Sequence, residues 1–428
     1  MQRLTTDEMP RLLAGFERIL ADSPPRALGI ALSGGGDSMA LLLLAHEWAA
    51  PGKVPLAAVS VDHGLRPEAR AEAELAGRAC ARLGVPHDIV EWRGWQGGGN
   101  LQQAARDARR RLIGEWARAR GIDVIALGHT KDDQAETVLL RLLRGSGVDG
   151  LSGMAPATRR DGLRWVRPLL EIGRHELREY LRRQGQEWAD DPSNDNPRFD
   201  RVRARRALAA LGDLGVSVSG LADTAARLRI AREALEDETL RAARTLARVN
   251  AAGAVEIDVT AFAALPEEIR RRLMAHSLQW VGGGSYRPRL NALIGLLDAI
   301  GRQRGATLAG CLVELSAGDV IHVAREPAAV RGMIAAPGAL WDGRWRLNAA
   351  DLPDGCHVAA LGEDGLAQCP DWRATGLRRN ALLASPALWR GNHLIGAPMA
   401  GLVTGFAPNP SCERIPSAEH YFTSILSH

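Results

Sequence analysis

Seven residues limit this chain more than any others: Leu32-Ser33-Gly34-Gly35-Gly36-Asp37-Ser38. They join an apolar run, Ala27–Leu32, to a helix-forming run, Met39–Ala50. A short apolar run ending in three glycines reads as a buried strand entering a tight turn. Glycine takes positive φ and lets the backbone approach a ligand with no Cβ in the way. The N–H groups at the start of the following helix are unpaired and carry partial positive charge, so they can hold the oxygens of an anion. Ser33 and Ser38 add hydroxyl donors. Asp37 would repel a bare phosphate, so its presence implies a Mg²⁺ between them.

The loop is not a Walker A sequence: the G-x-x-x-x-G-K-[ST] spacing is absent. Its order, S-G-G-x-D-S, resembles the pyrophosphate loop of the N-type ATP pyrophosphatases. Those enzymes split ATP into AMP and pyrophosphate and use the AMP to activate a substrate oxygen. The resemblance implies ATP; it leaves the substrate open.

Around the loop the pattern repeats. After an amphipathic helix within residues 1–22, strands are expected at Ala27–Leu32, Pro55–Val61, Asp88–Trp92 and Val124–Leu127. Helices are expected at Met39–Ala50, Glu68–Leu83, Asn100–Arg120 and Asp132–Arg144, with a flexible loop at Gly94–Gly99. Apolar strands alternating with helices of this length predict an α/β fold, a parallel sheet with helices on both faces. Ligands bind such sheets beyond the carboxyl ends of the strands. Three polar clusters fall at three such ends: Ser33–Ser38, Asp62–Arg66 and His129–Asp133.

Each cluster has a chemical use. In Gly128-His129-Thr130-Lys131-Asp132-Asp133-Gln134-Ala135-Glu136, the residues His129, Asp133 and Glu136 stand at i, i+4 and i+7 and share a helix face. A carboxylate there, opposite Asp37, could complete a Mg²⁺ site or hold an amine; simple helix capping by Asp132 or Asp133 is the structural alternative. Asp62 and His63 are adjacent in a strand end and point opposite ways, so nucleotide contact suits them better than a shared metal. On the helix after Asn100, Arg106 and Arg110 share a face and suit a phosphate or RNA, whereas Arg109 equally suits a solvated surface.

Composition sets the remaining bounds. A chain of 428 residues calls for two or three domains. Of 54 basic residues only Lys53 and Lys131 are lysine, so what matters is where the arginines cluster. The five cysteines are scattered with no C-x-x-C pair, which leaves no disulfide framework, zinc site or iron–sulfur site and fits a reducing cytoplasm. The charged residues Asp7, Glu8, Arg11 and Glu17 argue against a signal peptide, and the longest apolar run, around Met39–Ala45, is too short to span a bilayer.

Beyond Gly153 the pattern changes. A strand is expected at Trp165–Leu170 and a helix at Gly173–Gln184, then a turn-rich stretch from Trp188 to Asp195. Next, Arg198-Phe199-Asp200-Arg201-Val202-Arg203-Ala204-Arg205-Arg206 places five arginines in nine residues. Beside an ATP site, and with an aromatic among them, they suit RNA or a triphosphate better than plain solvation. Gly215–Gly220 reads as a linker. The expected domains are therefore 1–215, catalytic; 216–304, helical; and 305–428, small and β-rich with Trp341, Trp345, Trp372 and Trp389 available as its core.

Together the motifs resemble one family, the tRNA(Ile)-lysidine synthetases, which carry a PP-loop domain of the adenine nucleotide alpha hydrolase type. The matching stretches are Leu32–Ser38, Val61–Arg66, the Asn100–Arg110 helix, Leu127–Gly147, Arg167–Leu170 and Trp188–Arg205, within residues 26–206. Val202 and Ala204 depart from the asparagine and larger aliphatic common in the family. Residues 221–428 match only as a general plan.

The resemblance implies a ligase with ATP and Mg²⁺ as cofactors. The wobble cytidine of the CAU-anticodon isoleucine tRNA would be adenylated at its C2 oxygen with release of pyrophosphate. The ε-amine of free L-lysine would then displace AMP and leave lysidine. It implies catalytic roles for Asp37, His129, Asp133 and Glu136, with Asp37 and Asp133 at the metal. Ser33, Gly34, Gly35, Gly36, Asp37, Ser38, Asp62, His63 and Arg106 would bind the nucleotide, and Arg201, Arg203 and Arg205 would meet the phosphates or the tRNA. A cytoplasmic location, no membrane partner and compatibility with a homodimer belong to the same expectation. The rival is a PP-loop tRNA 2-thiolation enzyme. Such enzymes carry C-x-x-C pairs or a reactive cysteine, whereas here Cys80 is the only cysteine before Cys311.

Overall fold

The computed structural model describes residues 8–52, 54–64, 68–93, 101–190, 200–284, 286–316, 319–348, 352, 354–402 and 411–427. Leu65 and Arg66, the Gly94–Gly99 loop, Asn100 and the 191–199 stretch lie outside them. The chain forms two compact units, Met1–Arg232 and Glu233–His428.

The first unit is built on six strands: β1 (Leu28–Leu32), β2 (Leu56–Asp62), β3 (His87–Glu91), β4 (Val124–Leu127), β5 (Ala157–Arg160) and β6 (Leu163–Val166). Their order is β3-β2-β1-β4-β6-β5, parallel except for β5. Ile30 is in register with Ala58 on one side and Ala126 on the other. The helices are α1 (Glu8–Leu20), α2 (Gly36–Gly52), α3 (Glu68–Arg82), α4 (Leu101–Ala119), α5 (Lys131–Leu142), α6 (Val148–Leu151), α7 (Arg174–Gln184) and α8 (Asp200–Leu211).

Strand alternation sends Leu28, Ile30 and Leu32 to one face of the sheet and Ala31 to the other. The first face packs on Leu12 and Phe16 of α1, Met39 and Leu42 of α2, and Leu177 and Tyr180 of α7. The second packs on Ile113 and Trp116 of α4. Helix α2 is enclosed on nearly every side, with Met39, Leu41, Leu42 and Leu44 fully buried. That is why its sequence is a continuous apolar run. Truncating one such leucine to alanine costs about 2–5 kcal/mol.

One element of this sheet differs from expectation. The segment expected as a strand at Trp165–Leu170 ends at Val166 and is the second arm of a hairpin, β5–β6. Asp161 and Gly162 make its turn, both at positive φ (53° and 77°), which is the pairing a two-residue hairpin requires.

Helix α9 (Val218–Leu246) contributes residues to both units. In the second unit, β7 (Ala247–Val249), β8 (Val255–Asp258), β9 (Ala306–Leu308), β10 (Cys311–Ser316) and β11 (Val320–Arg325) form an antiparallel sheet in the order β7-β8-β11-β10-β9. Helices α10 (Val259–Ala264), α11 (Glu267–Gly282) and α12 (Leu290–Gly301) accompany it. Leu273, Leu278 and Leu293 from the helices share one core with Val313, Ile321 and Val323 from the strands. Elements from both sides of residue 304 therefore meet in that core. Two three-stranded sheets follow, around a second core containing Trp341, Trp345 and Trp389, with Trp372 packed against it. No helix among the described residues is long and apolar enough to cross a membrane.

Candidate active site

The order of the parallel strands reverses between β1 and β4, which opens a crevice at their carboxyl ends. Two loops enter it, Ser33–Gly35 after β1 and Gly128–Thr130 after β4. Gly34 has φ 78°, and a Cβ there would lie 2.7 Å from the Glu72 carbonyl oxygen, so only glycine fits. A Cβ on Gly128 would come within 3.0 Å of the Asp37 carbonyl oxygen, so its absence lets the two loops touch. The Ser38 hydroxyl donates to the Gly35 carbonyl at 2.9 Å and accepts from the Ser33 N–H at 3.1 Å. The returning chain braces this turn: the Ala189 N–H donates to the Gly34 carbonyl at 2.9 Å, and the Trp188 indole packs beside Gly36.

The β4 loop departs from expectation in one respect. Helix α5 begins at Lys131 with Thr130 as its N-cap, so His129 precedes the helix and does not share a helical face with Asp133 and Glu136. It still lies close enough to Asp133 for their charges to interact. Burial, reinforced by Arg167, Arg201 and Arg109 and opposed by Asp133, holds the imidazole well below its usual pKa.

Asp133 closes a capping box. Its Oδ2 accepts from the Thr130 N–H at 2.8 Å and from the Thr130 hydroxyl at 3.0 Å. Its Oδ1 faces the crevice and accepts from Arg174 and Arg201, each at 3.3 Å. One side chain thus caps α5 with one oxygen and turns the other to the crevice. Asp132 caps a different helix: its Oδ2 accepts the Arg174 N–H at the start of α7, at 2.7 Å.

Asp37 and Glu136 complete the carboxylate group. Asp37 accepts from Arg174 Nε at 3.0 Å; Glu136 accepts from Arg174 Nη1 at 3.4 Å and Arg205 Nε at 3.1 Å. Burial raises the Asp37 pKa, against the pull of Arg174 and with Asp133 adding to the rise. For Asp133 burial also acts upward, but Arg201, Arg174 and the Thr130 N–H outweigh it and hold the acid below its ordinary value. Two neighbouring carboxylates are thereby pushed in opposite directions, the pattern expected of groups with separate tasks.

Helix α8 packs on α5 through Ala135, Leu139, Ala204 and Leu208. That packing turns Arg201 and Arg205, one turn apart, toward the carboxylates. Arg203 lies off this face, exposed and paired with Asp200. Beyond His129 the charge changes sign. Burial, then Arg201 and Arg110, lowers the Arg106 pKa; burial and Arg106 lower that of Arg109. Arg167, whose Nη1 donates to the Ala155 carbonyl at 2.8 Å, is pushed down to about 10 by burial and by Arg110 and Arg106. Arg109 is therefore part of a crowded basic group rather than a solvated surface. Guanidiniums that repel one another this way are stabilised by an anion among them.

Asp62 and His63 stand at the carboxyl end of β2, the neighbour of β1. Asp62 Oδ1 accepts the Gly64 N–H at 2.9 Å, and His63 meets the Trp92 ring edge-on at 5.8 Å. Arg174 and Arg167 had no site role in the sequence reading. Arg174 did leave a signal: a cation in the first turn of a helix opposes the macrodipole and calls for nearby acids.

The carboxylates suit Mg²⁺. Asp37 Oδ1 and Glu136 Oε2 are buried with no hydrogen-bond partner among the described residues, and hard cations take such oxygens. No group of three or more His, Cys, Asp or Glu among the described residues could by itself hold an ion. Mg²⁺ commonly takes one or two carboxylates and completes its shell with phosphate and water oxygens.

The family model for the PP-loop domain matches residues 10–211. The chain is 47% identical to the tRNA(Ile)-lysidine synthase of Ruegeria pomeroyi over 405 residues, covering 95% of each chain. It is 43% identical to that of Hyphomonas neptunium over 313 residues, 70% of this chain and 83% of the other. With the enzyme of Bradyrhizobium sp. strain BTAi1 it shares 41% identity over 345 residues, 75% of this chain and 96% of that one.

Proposed function

The chain belongs to the tRNA(Ile)-lysidine synthase family, and from that premise we propose how its residues divide the reaction. The substrates are ATP, free L-lysine and the isoleucine tRNA with a CAU anticodon. The Ser33–Ser38 loop binds the ATP phosphates through backbone N–H groups and hydroxyls. The C2 oxygen of the wobble cytidine attacks the α-phosphate; the bond to pyrophosphate breaks, and an adenylated base remains. The ε-amine of lysine then attacks C2, the bond to AMP breaks, and lysidine forms.

Asp37 and Asp133 would hold Mg²⁺, which supplies charge neutralisation on the phosphates. Asp133 and Glu136 would bind the lysine ε-ammonium and take its proton. His129, kept neutral by its surroundings, would line the pocket between lysine and adenylate. Arg106, Arg201 and Arg205 would offset phosphate charge, and Arg203 would meet the tRNA. Asp62 and His63 would contact the nucleotide. Residues 216–304 would serve tRNA binding.

The observation that carries this reading is the convergence of Asp37, Asp133 and Glu136 beside the glycine turn at the strand-order reversal. Thiolation is less well supported. Cys80 is fully buried, and burial pushes its thiol up to about 12, so it is a poor source of a nucleophilic thiolate. The test is incubation with Mg-ATP, labelled lysine and a transcript of the CAU tRNA. Label entering the tRNA, and lost when the wobble cytidine becomes uridine, supports the reading. AMP release with no label in the tRNA would overturn it.

A further inference from the structure

Helix α7 opens with Arg174, a cation at the positive end of a helix dipole. The placement is compensated twice. Its backbone N–H donates to Asp132, and its side chain enters the crevice, where it is only 18% exposed. There each guanidinium nitrogen takes a different carboxylate: Nε takes Asp37 at 3.0 Å, Nη2 takes Asp133 at 3.3 Å and Nη1 takes Glu136 at 3.4 Å. The three acids come from two elements, the first turn of α2 and the first two turns of α5. A planar five-donor fork can serve three acceptors in fixed directions, and a lysine ammonium at the same place could not reproduce that geometry.

We infer that Arg174 is a positioning residue, whose guanidinium sets Asp37, Asp133 and Glu136 in one constellation and, with Arg201 on Asp133 and Arg205 on Glu136, supplies their counter-charge in the nucleotide-free protein. The inference rests on the reading that these three acids serve adenylation and lysine transfer. It has two consequences. Without nucleotide, the carboxylates are already neutralised, so a divalent cation gains little by entering. Without Arg174, the group keeps only Arg201 and Arg205, so Asp37 and its neighbours carry an excess negative charge that favours a hard cation, yet lose the alignment the reaction needs.

The experiment is a calorimetric titration of the nucleotide-free full-length protein with Mn²⁺, comparing wild type, Arg174→Met and Arg174→Lys. Arg174→Met should bind Mn²⁺ more tightly than wild type, on the order of tenfold or more. Its kcat for lysidine formation should fall about a hundredfold, the usual cost of ångström-scale misplacement. Arg174→Lys keeps the charge and loses the fork, so it should bind Mn²⁺ as weakly as wild type while its kcat falls and its KM for ATP stays put. Equal Mn²⁺ affinity in wild type and a folded Arg174→Met would overturn the counter-charge. A wild-type kcat in Arg174→Lys would overturn the positioning role, and that comparison decides if Arg174→Met does not fold. Should no variant or wild type make lysidine, the reaction assignment fails while the Mn²⁺ comparison still tests Arg174.

Discussion

Thr130 and Asp133 hold each other at the start of α5, the carboxylate accepting the Thr130 N–H at 2.8 Å while its second oxygen faces the crevice. The cap fixes the rotamer of the acid, so the site inherits its geometry from the helix terminus. One side chain thus links folding to chemistry, and substitution can separate the two. Asp133→Asn keeps an oxygen for the cap and removes the charge. Its amide N–H2 then faces Arg174 and Arg201 where an oxygen had accepted from them, so it should lower the Tm and lose lysine incorporation. Asp133→Ala should lose incorporation and, because it gives up the cap as well, about 1 kcal/mol more stability than Asp133→Asn. Thermal melts beside the incorporation assay check both, and normal incorporation by Asp133→Asn would contradict the assignment.

His129 gives a prediction in pH. Burial is the main cause of its lowered pKa, so the fold favours the neutral imidazole. Below about pH 6.5 the unfolded chain takes up a proton there that the folded chain refuses. The contribution is therefore present above about 6.5 and is lost as pH falls toward the depressed folded value. His129→Asn, which does not titrate, should show a shallower fall in Tm between about pH 6.5 and 4.5 than wild type. Parallel curves would contradict the burial of a neutral imidazole.

Two arginines on one helix should respond differently. Arg205 reaches Glu136 at 3.1 Å, whereas Arg203 is exposed and pairs with Asp200. Arg205→Ala should lower the rate of pyrophosphate release with saturating tRNA. Arg203→Ala should leave that rate alone, weaken tRNA binding and reduce the slope of log affinity against log salt by roughly one, as for a single phosphate contact. Filter binding at several salt concentrations measures this. An unchanged slope would place Arg203 off the RNA.

Much of the catalytic unit was legible because local chemistry and fold agree there. Leu28–Leu32 is a short apolar run closed by glycines, so both its state and its end are written locally. The three clusters at strand ends followed from the parallel alternation. Asp133 and Glu136 were read together because a three-residue spacing on a helix needs no knowledge of the fold. His129 was misplaced by the same reasoning: Thr130, a good N-cap, marks the true boundary after it. Arg174 was not found because its partner Asp37 is 137 residues away, and only the sheet order brings α7 to the crevice. The β5–β6 hairpin was missed although Asp161-Gly162 is a strong turn signal. Strand β7 follows α9 with no glycine or proline between them, so the helical pattern concealed it.

The central claim is that one group of carboxylates serves two successive steps with different members. The direct measurement follows pyrophosphate release and lysine incorporation in the same reaction for wild type, Asp37→Asn and Glu136→Gln. Asp37→Asn should lose both, by about a hundredfold or more, because charge on the transferring phosphate is no longer offset. Glu136→Gln should still release pyrophosphate and fail to incorporate lysine. Equal loss of both signals in Glu136→Gln would contradict the division of labour and leave the three acids as a single adenylation site.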